Sequence, residues 1–297
     1  MKRIVLVLVI LTVAVVQVHG ADTHYRRYSY HQDSMEYYVS QSGSDENPGT
    51  IDKPFRTIQK AADIMLPDDT CYVRQRTYRE TVSPVHCGMF GRPLRFEAYP
   101  GEIVTLSGAE PLDGNWSMHK GSIYKTKVDR EFTQLFVDGE MMIEARWPNA
   151  RFDQLLDKKT WAYVDKGSTY GLINDAELAK TGIDWTGAIA TPNVSHQFST
   201  WAREVRNHAR GKNSFEYDRN LNLTYDVSWE DDKYFLLGKL EALDISTEWY
   251  LDTQTQTLYL WTPEGDSPAN HTVEVKVRDY AFELTGKDYI RIAGFLS

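Results

Sequence analysis

The chain of 297 residues is long enough for one large or two ordinary domains, and 41% apolar with 25% charged residues is a globular balance that excludes wholesale disorder. A formal net charge of -9 argues against nucleic acid and against an anionic membrane surface, both of which need a basic face. A neutral or lightly charged glycan fits that balance better than a strongly anionic polymer.

Residues 1–20 read as a secretory signal peptide: Lys2 and Arg3 open it, an apolar run follows, and Val18-His19-Gly20 offers small residues for cleavage before Ala21. The run is too short for a comfortable membrane span, so none is expected once the leader is removed. The expected location is outside the cytoplasm: secreted, periplasmic or at the cell surface. Residues 21–36 form a polar, tyrosine-rich lead-in. Order begins at Tyr37-Tyr38-Val39, followed by turn chemistry through Thr50. Asp45 and Asn47 in that stretch could bind calcium, the one cofactor the sequence suggests; an ordinary loop is the competing reading.

One helix is expected next, with Asp52 near its N-cap, Pro54 in its first turn and Ile58, Ala61, Ala62 and Met65 on one face. Short strands are expected at 70–74, 78–82, 94–99 and 103–106. With a single helix among them, they do not make an alternating α/β sheet; they suit a sandwich, a barrel or a solenoid. Cys71 and Cys87 are the two cysteines. They either form a disulfide in an oxidising compartment or stay free, with Cys71 a small buried hydrophobe in its strand.

Residues 146–238 differ in texture. Trp147, Trp161, Trp185, Trp201 and Trp229 are spread among irregular polar segments, which reads as an inserted β-rich subdomain. From 239 to 297 a hairpin comes first, its strands at 248–252 and 257–261. Val273, Val275 and Val277 then alternate with polar residues, and Tyr280, Phe282 and Leu284, then Ile290 and Ile292, repeat the pattern after short breaks. Strands recurring in this way read as the first coils of a β-solenoid, each burying its face only by stacking on the next.

The run Tyr37-Tyr38-Val39-Ser40, Gly43-Ser44-Asp45, Asn47-Pro48-Gly49-Thr50 and Lys53-Pro54-Phe55-Arg56-Thr57-Ile58 resembles the start of right-handed parallel β-helix enzymes. Three later stretches narrow the resemblance. They are Leu135-Phe136-Val137-Asp138-Gly139 with Ala145-Arg146-Trp147-Pro148-Asn149, then Leu243-Asp244 with Glu248-Trp249-Tyr250-Leu251-Asp252, and Thr257-Leu258-Tyr259-Leu260. Together they are similar to glycoside hydrolase family 141 and its insertion-domain relatives. The resemblance implies a mostly β fold: a cap and first coils at 37–145, the insertion at 146–238, and the start of the main coils at 239–297. Gln75-Arg76 and Ser246-Thr247 stand where the family usually has Pro-Gly, so these two turns must form on non-glycine residues. It also implies that the chain is the front portion of a longer hydrolase acting on plant or algal polysaccharide, with catalytic residues beyond Ser297. A glycan-binding or cell-binding surface solenoid and a polysaccharide lyase are the alternatives.

Glycosidic hydrolysis needs two carboxylates facing each other across the sugar, and no such pair is evident here. The acidic run Glu230-Asp231-Asp232 reads as a solvated loop, and Glu248 with Asp252 as hairpin residues. No Gly-x-Ser-x-Gly, His-Glu-x-x-His or paired Cys-x-x-Cys pattern occurs, so no serine hydrolase and no metal centre is assigned. A poly- or oligosaccharide is the expected partner, because exposed aromatic rings stack on pyranose faces while Arg, His or Asn hold hydroxyls. Arg146, Trp147, His196 and Trp201 are the candidates for that contact, core burial being the competing reading for each tryptophan.

Overall fold

The computed structural model describes residues 33–219 and 225–296. The expected signal peptide at 1–20 and the expected lead-in before residue 33 lie outside the described residues. The described chain is mostly β: five sheets, one α-helix and a few short 3-10 turns.

Two sheets are parallel throughout. The first orders Glu36–Val39, Thr70–Val73, Leu94–Ala98 and Ile290–Ala293; the second orders Arg76–Tyr78, Val104–Leu106 and Phe295–Leu296. In three successive layers a strand of the first sheet is followed along the chain by a strand of the second. The alternation seen in the sequence sets what each layer buries. Cys71 stacks in register on Phe96, and Val39 on Val73, inside. Tyr38 stacks on Tyr72 on the outer side, ring centroids 5.6 Å apart.

The helix Ile58–Ile64 packs against the first two layers and contributes Ile58, Ala61 and Ala62 to their core, with Met65 following. Its N-cap is Thr57, whose hydroxyl accepts the Lys60 N–H at 3.2 Å; the expectation of Asp52 placed the cap too early. The reason is the Asp45 carboxylate, which accepts the Arg56 and Thr57 N–H groups, each at 2.9 Å, and holds the chain extended until Thr57. Glu80 then reaches across to accept the N–H groups of Ile58 at 3.0 Å and Gln59 at 2.9 Å. Asp45 is thus a loop clamp, and Asn47 donates to the Pro54 carbonyl, so the pair that suggested calcium holds this loop together.

The segment Val273–Lys276 corrects an expectation. Val273 and Val275 are buried, but the strand pairs antiparallel with Leu135–Val137 and Ala109–Pro111 rather than joining the stacked layers. Alternation identifies a half-buried strand without naming its partner. The return to the stack comes later, through an isolated parallel bridge from Phe282 to Val82 and then Ile290–Ala293. Above this sheet lies the expected hairpin, Glu248–Asp252 with Thr257–Leu260, Asp252 opposite Thr257. It is flanked by Ile123–Lys127 on one side and Ile143–Glu144 on the other. The eight-stranded sheet draws every strand from between Arg146 and Leu237, around a core that includes Trp185, Phe215 and Tyr234.

Cys71 and Cys87 are both free, which decides against the disulfide alternative. Cys71 faces the core of the layers, where burial pushes its thiol far up; Cys87 lies 3.9 Å from the Gly286 carbonyl. No helix among the described residues is long and apolar enough to cross a membrane.

The capping arrangement makes a prediction. Thr57→Ala should cost about 1 kcal/mol, the usual loss for a cap hydroxyl. Glu80→Ala should cost more, about 2–3 kcal/mol, because it strips acceptors from two N–H groups. Urea unfolding of both variants checks the order, and equal or reversed losses would refute this account of the helix.

Candidate functional site

One short run of chain serves two sheets. Ile143–Glu144 pairs in parallel with the hairpin, Ile143 opposite Glu248 and Glu144 opposite Trp249. Two residues later Arg146–Trp147 pairs antiparallel with Lys233–Leu237 of the eight-stranded sheet. A cavity of about 410 Å³ opens at this seam, walled by Met142, Leu155, Leu156, Trp161, Phe235 and Trp249, with Glu144 its carboxylate. A second of about 410 Å³ shares Thr133, Glu144 and Trp249 with it and adds Glu131, Lys276 and Asp279. A third of about 480 Å³ shares Lys276 and Asp279 with the second and runs past Gln134 and Tyr280 to Thr105 and Leu106 of the parallel layers. Sharing these walls, the three adjoin one another in a grooved region between the stacked layers and the eight-stranded sheet.

Its chemistry is uneven. The end beside the eight-stranded sheet is mainly apolar. The middle carries charge, with Lys276 Nζ 2.8 Å from Asp279 Oδ1. Glu144 stands between them, half-buried, and burial alone holds its carboxyl above the usual carboxylate range. Among the described residues no hydrogen-bond donor reaches that carboxylate. The sequence signal for Glu144 is faint: one carboxylate inside the apolar run Met141-Met142-Ile143-Glu144-Ala145.

The four residues expected to contact a sugar do not converge. Arg146 is buried: its guanidinium lies 4.3 Å over the Phe235 ring and donates to the carbonyls of Pro148 at 2.9 Å and Thr160 at 3.1 Å. It builds a wall of the groove, with Nε and Nη2 each given to a backbone carbonyl. Trp147 likewise packs inward, its ring 6.3 Å from Trp185 and 6.1 Å from Tyr234. His196 sits on an exposed turn with Nδ1 3.0 Å from Asp231 Oδ2, and that carboxylate raises its pKa. Trp201 is half-buried among Tyr170 and Tyr225, at 5.9 and 4.8 Å.

The acidic candidates also resolve into structural roles. Asp232 is fully buried and accepts the N–H groups of Gln197 and Ser228. Asp252 accepts those of Gln254 and Thr255 in the hairpin turn. Glu248 is fully buried, facing the N–H groups of Arg146 at 3.4 Å and Asp244 at 3.3 Å, and burial pushes its carboxyl up to about 8.

No family model matches the chain. The uncharacterized protein YwoF of Bacillus subtilis is 44% identical over 71 residues, 24% of this chain and 15% of that protein. Pectate lyase PEL9 of Emericella nidulans is 39% identical over 79 residues, 26% of this chain and 19% of that one. A solved glycoside hydrolase superposes with a TM-score of 0.68 over 88% of this chain and 50% of its own length, at 19% identity. The chain therefore shares the fold of that hydrolase. It spans about half of it, and the matched stretches span under a fifth of either curated relative.

Glu248 gives a pH test. Its folded-state pKa of about 8 lies above the ordinary 4.5, so the folded protein favours the protonated form. Stability is then fully present below about 4.5 and is lost as pH climbs toward about 8. The loss is at most about 1.4 kcal/mol per pH unit. Glu248→Gln removes the ionisation, so urea unfolding across that window should show a flatter pH slope than wild type. Parallel slopes would refute the assignment.

Proposed function

We propose that the chain is the front portion of an exported, carbohydrate-active, right-handed parallel β-helix, whose parent is a glycoside hydrolase of the family 141 kind acting on plant or algal polysaccharide. In this reading 37–145 are the cap and first coils, 146–238 the inserted β-rich subdomain, and 239–297 the hairpin and the start of the main coils. The supporting observation is the pair of parallel ladders, built layer by layer over the helix Ile58–Ile64. The fold shared with a solved glycoside hydrolase points the same way. Export rests on the leader at 1–20, and places the protein outside the cytoplasm, secreted, periplasmic or on the surface.

The groove is the saccharide-facing surface in this proposal. Glu144 is its binding carboxyl, Lys276 and Asp279 hold hydroxyls, and Tyr280, which is exposed, offers a ring face. The hydrolytic carboxylate pair belongs to coils beyond Ser297. A lyase is the second reading, favoured by the identity with a pectate lyase. It would require Lys, Arg or a cation on those later coils to neutralise a uronate.

Full-length protein incubated with fucosylated and xylan-type glycans should release reducing sugar; release from no plant or algal polymer would overturn the hydrolase. Products carrying an ultraviolet-absorbing double bond would select the lyase instead. On an active substrate, Glu144→Gln should raise KM about tenfold, equal to about 1.4 kcal/mol of binding, with kcat nearly unchanged. An unchanged KM would remove Glu144 from the sugar site.

A further inference from the structure

Away from the groove, the loop between the hairpin and Val273–Lys276 gathers Glu264, Asp266 and His271. It is braced from inside: the Thr262 hydroxyl donates to the Asp266 carbonyl at 2.9 Å, and Asn270 Nδ2 donates to Asp266 Oδ2 at 2.8 Å. The imidazole of His271 is only 11% exposed. Its Nδ1 lies 2.7 Å from Oδ2 of Asp138, which reaches in from the turn after Leu135–Val137 and is itself fixed by accepting the Thr272 N–H at 2.8 Å. That leaves Nε2 turned toward the loop, 2.7 Å from Asp266 Oδ1 and 3.8 Å from Glu264 Oε2. One atom from each of Glu264, Asp266 and His271 lies within 4.8 Å of the others.

The geometry points to a divalent transition-metal site of zinc type, with His271 Nε2, Asp266 and Glu264 as ligands and Asp138 behind the imidazole. Tetrahedral zinc with bonds of about 2.0–2.2 Å sets its ligands roughly 3.3 Å apart, and the two separations from Nε2 bracket that distance. The carboxylate behind the ring is the usual support of a metal-bound histidine, fixing which nitrogen carries the proton and how the ring is aimed. An imidazole with two carboxylates suits zinc better than calcium, which takes all-oxygen ligands. Glu264 and Asp266 are exposed, which leaves room for water as the fourth ligand. The site joins the Asp138 turn to the 264–271 loop, so a bound ion would pin the two outer connections of the antiparallel sheet. The competing arrangement is an imidazolium held between Asp138 and Asp266 with no metal.

Metal-stripped full-length protein titrated with zinc chloride by calorimetry separates the two. The expected result is one zinc per chain, with calcium chloride unable to displace it. Glu264→Gln alters an exposed side chain and should leave folding intact while weakening zinc about tenfold or more. Asp138→Asn should keep the stoichiometry and lose about 10–100-fold in affinity. His271→Ala should abolish uptake. No saturable zinc binding, or wild-type affinity in both Glu264→Gln and His271→Ala, would overturn the site and leave the ion pair.

Discussion

The stacked layers depend on one helix of seven residues whose leading N–H groups are held by carboxylates from elsewhere in the chain. A helix so short does not form on its own, because nucleation costs more than so few hydrogen bonds return. Asp45 and Glu80 remove that difficulty by taking the N–H groups of Arg56, Thr57, Ile58 and Gln59. In return the helix places Ile58, Ala61 and Ala62 over Val39, Cys71 and Val73. Glu80 follows Arg76–Tyr78, a strand of the second ladder, so the cap and the first corner of the stack stabilise each other.

Beyond that corner the chain leaves the layers after Val104–Leu106 and returns to them at the Phe282–Val82 bridge and then Ile290–Ala293. Everything between must fold so that its two ends meet in register. The hairpin sheet and the eight-stranded sheet are tied together at the seam by Arg146, Glu248 and the shared run from Ile143 to Trp147. The Glu248 carboxyl takes the Arg146 N–H at this junction, so removing it leaves a buried donor without its acceptor. The seam is thus intolerant of change, and it is where the groove opens.

Much of the fold was legible because local pattern and partner choice agreed. The strands Thr70–Val73, Leu94–Ala98 and Val104–Leu106 lie where alternation placed them, and the hairpin has the expected turn. Legibility failed where the pattern was right and the partner was not, as with Val273–Lys276. It failed again where a side chain's surroundings decided its role. Arg146 beside Trp147 looks like a sugar clamp in one dimension, yet Pro148, Thr160 and Phe235 absorb the guanidinium in three. The His271 cluster was invisible for a related reason: Glu264, Asp266 and His271 match no familiar ligand spacing, and Asp138 is contributed from far away in the chain.

Glu144 differs from the other withdrawn carboxylates in a way that bears on function. Asp69 accepts the N–H groups of Met35 and Leu66; Asp175 accepts the Tyr234 hydroxyl and the Glu177 N–H; Asp232 and Glu80 each accept two N–H groups. Each serves the fold, and the chain supplies the donors that withdrawal from water demands. Glu144 is desolvated enough to raise its pKa, yet among the described residues no donor reaches it, and it faces two adjoining cavities. Half-buried between those cavities, Glu144 keeps its oxygens open to water and to whatever donor enters there, which sets it apart from carboxylates whose donors the fold supplies.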